Sequence, residues 1–290
     1  LLLTEKLDTY PFSETERIVV NYLLTEKQLI EHKTIKEIAD ITYTSPSIMI
    51  RIAKKLGFAG WNDLKKDYIE EVNYLEKNFI NVDANFPFKQ HDSHLEIANK
   101  LGILHQETIM DTLSLLKAQQ IQSVINLINN ADDIVIFSNN INIQLVQDFV
   151  HKMKRIKRRV SVSELDGEQL FEAANLDNKT LAIIISYSGE TKRILELVPF
   201  LKHSGVPILA LTSIGDNSLV KETDNVLYIS TREKLYSKIG SFSSHTSICF
   251  LLDIIYSCIF SIDYKDNLDN LIYLSKMNDP RSSKSKILKE

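Results

Sequence analysis

The segment Leu181-Ala182-Ile183-Ile184-Ile185-Ser186-Tyr187-Ser188-Gly189-Glu190-Thr191 carries the strongest fold signal in this 290-residue chain. Five apolar residues in succession show no alternation, as a strand buried on both faces requires. The run breaks into hydroxyls and one glycine, and a helical pattern follows at about 191–203, stopped by Gly205. The same alternation continues on either side. Upstream lie helical patterns at about 94–116 and 119–130, strand Asp133–Phe137, a helix at about 143–155, strand Val160–Ser163 and a helix at about 167–175. Downstream lie strand Pro207–Thr212, a short helix after Gly215, strand Val226–Ile229 and a helix at about 244–262. Strands alternating with helices predict an α/β fold: a parallel five-stranded sheet flanked by helices. The last helix reads as apolar on all sides and is expected to be buried. Pro199 predicts a kink or an early end in its helix.

The serine-rich turn after the central strand leaves the edge of a parallel sheet where ligands bind. Hydroxyls, a glycine and the N–H groups that open a helix together make an anion cradle. A phosphate is its natural guest, held by the hydroxyls of Ser186, Ser188 and Thr191 with help from the amides around Gly189; Tyr187 is counted with them. A serine-rich turn that only caps a helix fits the same residues.

Residues 11–76 read as a run of short helices. Ser13 followed by Glu14 and Glu16 is an N-cap with an acidic first turn. Ile18, Val19, Tyr22, Leu23 and Ile30 follow at helical spacing. Thr34 caps a short helix with Ile35, Ile38 and Ala39 on one face. Ser45-Pro46 opens another, which Gly57 stops; a further helix runs from about Trp61 to Leu75. Two short helices joined at Thr42-Tyr43-Thr44 suggest a helix-turn-helix. In the second of them Met49, Ile52, Ala53 and Leu56 form the buried face. Ser45, Ser47, Ile48, Arg51 and Lys55 are expected on the side that would enter a DNA groove. Lys54, Lys55, Lys65 and Lys66 could meet phosphates. A plain helical bundle with a solvated basic edge has the same periodicity.

Composition narrows the classes. Apolar residues make up 44% and charged residues 25%, a globular profile. The formal net charge is −4, so wholesale electrostatic binding to nucleic acid is not expected, which leaves room for a local basic patch only. Glycine is scarce, 8 in 290, and no two have dinucleotide or Walker A spacing. Cys249 and Cys258 alone cannot build a disulfide framework or a cysteine-based zinc site. His91 and His94 lack a third ligand nearby, so no metal and no cofactor is expected. The apolar run Ile248–Ile262 is about 15 residues and contains Asp253, short for a bilayer span. With no signal-peptide pattern at the N-terminus, a cytoplasmic protein without membrane contact is expected. The dense cluster Lys152, Lys154, Arg155, Lys157, Arg158, Arg159 reads as a solvated helix end, with auxiliary DNA or anion contact as the alternative. Asp253 is expected to be buried and hydrogen-bonded, and His245 to be a cap or packing residue.

The segment Leu56-Gly57-Phe58-Ala59-Gly60-Trp61, with Ser45, Pro46 and Arg51 before it, resembles the N-terminal domain of the RpiR family of transcriptional regulators. The run Ile185–Thr191 resembles the sugar isomerase (SIS) domain, as do Ala210-Leu211-Thr212 and the helix containing Leu251-Leu252-Asp253. The resemblance covers nearly the whole chain. It implies a helix-turn-helix DNA-binding domain at 1–77 and a SIS domain at 93–275; residues 78–92, with several Asn, one Pro and no clear periodicity, read as the linker between them, and the Ser- and Lys-rich 276–290 as a polar tail. It further implies a homodimer that binds double-stranded DNA at a palindromic operator and senses a phosphorylated sugar. The loop after the first strand, Ser138-Asn139-Asn140-Ile141-Asn142, lacks the G-x-G-x-S pattern usual in the family; Ser138, Asn140 and Asn142 are expected to face the sugar. Ile48 stands where Thr is common.

The chain is thus expected to regulate sugar-metabolism genes and not to be an enzyme, with no catalytic residues. Two alternatives remain: a sugar-phosphate isomerase with an accessory helical domain, and a SIS domain used only for dimerisation. Isomerisation needs a positioned base, and Glu190 reads as orienting its loop instead.

Overall fold

The computed structural model describes residues 2–77, 82–139, 142–165 and 167–278. They form two compact units, Leu1–Glu107 with Ile214–Asn217, and Thr108–Ser213 with Ser218–Glu290.

The first unit opens with α1 (Leu3–Thr9), a helix the sequence reading did not include, and α2 (Glu14–Glu26). Glu71 fastens α1 by accepting from the Leu3 and Thr4 amides and the Thr4 hydroxyl at 2.5–2.7 Å. Ser13 caps α2 as expected: its amide and hydroxyl both donate to Glu16 at 2.9 Å. After a 3₁₀ turn (Lys27–His32) come α3 (Ile35–Ile41), α4 (Pro46–Lys55) and α5 (Trp61–Lys77). Thr34 and Glu37 close a reciprocal capping box on α3. Val19, Leu23, Ile30, Ile38, Met49, Ile52, Ala53, Leu64 and Tyr68 share one core. Ile18, one of the apolar positions at helical spacing, is 52% exposed, while Val20, outside that pattern, is buried. Residues 82–93 carry no helix or strand, and residues 78–81 of the expected linker lie outside the described residues. α6 (His94–Leu115) follows; His94 is exposed in its first turn.

The second unit is a parallel sheet in the order β2-β1-β3-β4-β5. Its strands are β1 (Asp133–Ser138), β2 (Arg159–Val162), β3 (Thr180–Ser186), β4 (Ile208–Ser213) and β5 (Val226–Ile229). Alternation along β1 divides the core. Ile134 and Ile136 pack with α7 (Ala118–Asn130), α9 (Gln147–Arg155) and α12 (Phe242–Ile262) on one face. Val135 and Phe137 pack with α10 (Gln169–Ala174) and α11 (Lys192–His203) on the other. Every residue of β3 is buried, as its apolar run requires. The predicted helix at 143–155 divides at Val146 into α8 (Asn142–Leu145) and α9. α13 (Tyr264–Asn278) closes the described chain.

Four expectations are corrected. α11 runs through Pro199, which is exposed, so the missing N–H falls on the solvent side of the helix. α12 begins at Phe242, close to where the sequence placed it, and the whole 21-residue helix, unlike the run Ile248–Ile262 taken alone, is long and apolar enough to cross a membrane by length and composition. It is buried along one face only, through Ser243, Ser247, Ile248, Leu251, Leu252, Ile255 and Ile259. Asp253 stands on its other face, 54% exposed at the side chain and 2.6 Å from Lys152 Nζ, rather than buried.

Candidate functional site

The first candidate surface is built by α3, its turn and α4. Ser45 and Pro46 start α4, the proline at a position where no N–H is needed. Ser45 and Ser47 are exposed, with their hydroxyls 2.8 Å apart. Arg51 and Lys54 are exposed and form no ion pair among the described residues. Two expected members behave otherwise. Ile48 is 4% exposed and belongs to the helical core. At 100° per residue it falls only about 40° from Ile52, inside the apolar arc. Lys55 is drawn back to Glu16 Oε2 at 2.6 Å and lies over the Phe12 ring, so it faces its own bundle. Lys65 donates to the Lys33 carbonyl at 2.8 Å, while Lys66 is exposed. The sequence reading missed Tyr43, 97% exposed in the turn with φ +51. An aromatic in a turn otherwise made of threonines was the available signal.

The second surface lies at the carboxyl ends of β1 and β3. The strand order reverses direction between these two strands, and such a switch point opens a crevice at the sheet edge. Ser186 Oγ and Thr191 Oγ1 are 3.0 Å apart across the mouth of the loop, and Thr191 is the N-cap of α11. Gly189 has φ +65, a left-handed turn that glycine adopts without strain. Its N–H is turned to the Ser186 carbonyl at 3.1 Å, and the Glu190 N–H to Ser188 Oγ at 3.2 Å. The amides expected to meet an anion there are therefore used within the loop. The hydroxyls of Ser186, Ser188 and Thr191 stand together at the start of α11, Ser186 being buried and its hydroxyl shared with that of Thr191.

The loop is clamped from outside. Glu190 accepts from the Ser218 amide at 2.8 Å and its hydroxyl at 2.7 Å, which holds the Glu190 carboxyl below the ordinary carboxylate range. The Leu219 amide donates to the Gly189 carbonyl and the Ser213 amide to that of Tyr187. Tyr187 donates its hydroxyl to the Glu233 carbonyl at 2.9 Å and accepts from the Glu233 amide at 3.0 Å. Burial pushes its phenol upward, so it stays protonated. Glu233 in turn caps α12 through the Ser243 and Ser244 amides and pairs with Lys238 at 2.9 Å. His245, half-buried in the first turn of α12, has its pKa lowered by burial.

On the β1 side, Ser138 is fully buried and donates to the Ile185 carbonyl at 2.9 Å. Asn142 opens α8 and is half-buried; Asn140 lies outside the described residues. Gln169, which the sequence reading did not single out, donates Nε2 to the carbonyls of Ser138 (3.1 Å) and Ser163 (2.9 Å), joining the ends of β1 and β2. At the opposite edge of the sheet, Lys154, Lys157, Arg158 and Arg159 line an open cavity of about 300 Å³ with Asp133 and Ser161.

A helix-turn-helix unit followed in the chain by a doubly wound sheet with a hydroxyl-rich loop at its switch point defines a two-part protein, one part of the class that enters a DNA groove and one of the class that takes an anionic ligand. Residues 5–73 match the helix-turn-helix domain of the rpiR family, and residues 127–257 match the SIS domain. The chain belongs to the rpiR family of helix-turn-helix proteins that carry a SIS domain. An uncharacterized HTH-type transcriptional regulator of Caldanaerobacter subterraneus subsp. tengcongensis is 24% identical over 274 residues, covering 92% of this chain and 95% of the relative. One from Clostridium perfringens is 26% identical over 271 residues, covering 92% and 95%. Among solved structures, Vibrio vulnificus NanR complexed with ManNAc-6P has a similar fold, with TM-score 0.59 at 18% identity, covering 96% of this chain and 98% of that one. A putative sugar-phosphate isomerase from Listeria monocytogenes matches 60% of this chain and 93% of its own length, with TM-score 0.52 at 16% identity.

Proposed function

We propose that this protein is a transcriptional regulator of sugar-metabolism genes, binding double-stranded DNA through residues 1–77 and a phosphorylated sugar through the SIS domain at 93–275. One observation carries the reading: a single chain presents a polar helix-turn-helix face and, separately, a hydroxyl loop at a sheet switch point. Ser45, Ser47, Arg51 and Lys54 read the DNA; Ile48 and Lys55 are not among them. Ser186, Ser188 and Thr191 hold the phosphate at the start of α11, with Asn140 and Asn142 toward the sugar. Tyr187 keeps the loop in place through Glu233. The protein acts in the cytoplasm as a homodimer on a palindromic operator, because two-fold protein symmetry matches two-fold site symmetry. It is not an enzyme: Glu190, held by Ser218 below the usual carboxylate range, is a weakened base. Relatives named as transcriptional regulators and the ManNAc-6P complex of NanR support this reading.

Selecting an operator from a random duplex pool with the full chain, then titrating it with and without ManNAc-6P and other sugar phosphates, tests both halves. Failure to enrich any duplex overturns the DNA half; unchanged affinity with every sugar phosphate overturns the sensor half. Because isomerases share the fold, turnover is assayed on the same sugar phosphates, and conversion of any of them overturns the non-enzymatic reading.

A further inference from the structure

The turn between α3 and α4 closes by a Schellman arrangement. The Thr44 amide donates to the Ala39 carbonyl at 2.9 Å and the Tyr43 amide to that of Asp40 at 3.3 Å, with Thr42 as the C-cap. The residue after such a C-cap must be left-handed, and glycine suits it because it has no Cβ. The same pair of bonds closes α4, α9 and α11, where the left-handed residues are Gly57, Lys157 and Gly205. In the α3 turn the position holds Tyr43 at φ +51. A bulky aromatic is strained there. Packing does not offset the strain, since Tyr43 is 97% exposed. Glycine or asparagine would make the turn more easily, so the ring and hydroxyl serve something outside the fold. Tyr43 stands three residues before Pro46, next to the end of α4 that a helix-turn-helix turns to DNA.

We infer that Tyr43 is a DNA contact, its phenol hydroxyl donating to a backbone phosphate and so setting the register of α4 in the groove. Tyrosine hydroxyls are among the neutral donors that meet phosphate oxygens. A neutral donor adds affinity without releasing a counterion, which separates it from a lysine. The inference rests on the reading of α3 and α4 as the DNA-binding element.

Because a phosphate contact does not depend on sequence, the test uses a mixed-sequence 30-base-pair duplex and the full chain, titrated by fluorescence anisotropy across a salt series, with thermal melts alongside. Tyr43→Asn and Tyr43→Phe should each weaken binding about tenfold, the size expected for one hydrogen bond to a charged group. The salt slope should stay at the wild-type value, whereas Lys54→Ala should flatten it. Tyr43→Asn should melt no lower than wild type, because asparagine tolerates the left-handed turn; weakened binding by a protein at least as stable is not a folding defect. Wild-type affinity in Tyr43→Asn overturns the contact, and wild-type affinity in Tyr43→Phe overturns the hydroxyl's part in it. Wild-type protein that does not bind the duplex at low salt overturns the DNA-binding reading itself, a result distinct from either.

Discussion

Lys55 Nζ lies 2.6 Å from Glu16 Oε2, which ties the second helix of the helix-turn-helix to the first turn of α2. The same carboxylate oxygen receives the Ser13 amide and hydroxyl, and the Glu16 side chain is only 3% exposed. α4 is therefore tied to α2 by a charge pair whose cation, Lys55, sequence spacing had assigned to DNA.

Removing the cation should destabilise the first unit. Lys55→Met leaves Glu16 buried with only its Ser13 bonds. Breaking a fully buried pair costs ~3–5 kcal/mol; Lys55 is 39% exposed, which reduces the expectation to about 1–3 kcal/mol. Urea unfolding measures it, and a change under about 0.5 kcal/mol would show the pair to be a surface contact.

The effect of that substitution should depend on pH. Burial raises the Glu16 carboxyl, but the bonds from Lys55 and Ser13 outweigh it and hold the group below its ordinary value of 4.5. A lowered carboxylate contributes stability above its unfolded pKa and loses it as pH falls through the folded one. The wild-type advantage over Lys55→Met should be full at pH 7 and shrink below about pH 4. A gap that stays constant from pH 7 to pH 3 would refute the assignment.

Arg51→Ala should weaken binding to the selected operator by roughly 1–3 kcal/mol if the guanidinium makes a paired base contact. Lys54→Ala should instead weaken binding to all duplexes and flatten the salt dependence. Mobility-shift titrations separate the two. Unchanged operator affinity in Arg51→Ala would remove α4 from recognition.

Ser188→Ala should lower sugar-phosphate affinity by about 1.5–3 kcal/mol, the range for one hydrogen bond to a charged group. Gly189→Val should be worse, because a branched side chain is strained at φ +65. DNA binding by the ligand-free protein should persist in both. Calorimetry with the sugar phosphate that shifts operator affinity decides it; equal heats and affinity in wild type and Ser188→Ala would take this loop out of the site.

Gln169→Leu should destabilise the sheet unit by about 1–3 kcal/mol, since the carbonyls of Ser138 and Ser163 lose a buried donor. Thermal melts of the full chain should show a lower midpoint for this unit. An unchanged midpoint would mean that water replaces the amide.

The sequence by itself determined the architecture. A short, isoleucine-rich apolar run such as Leu181–Ile185, closed by a turn signal, reads as a doubly buried strand, and local punctuation set the helix ends: the Thr34–Glu37 box, Ser45-Pro46, Gly57 and Gly205. These signals act between residues close in the chain, so they can be read from order alone. The hydroxyl loop at 186–191 was legible for the same reason. Which groups remain available to a partner was decided by tertiary structure. Lys55 looked like a phosphate contact until Glu16, 39 residues away, claimed it. Ser138 looked like a ligand residue until the Ile185 carbonyl took its hydroxyl, and Tyr187 became a strut through Glu233. Gln169 acquired its role only when two strand ends met beside it. A polar side chain is satisfied by whatever donor or acceptor folding brings within about 3 Å, and in these cases the partner comes from a distant part of the chain, which local periodicity does not encode.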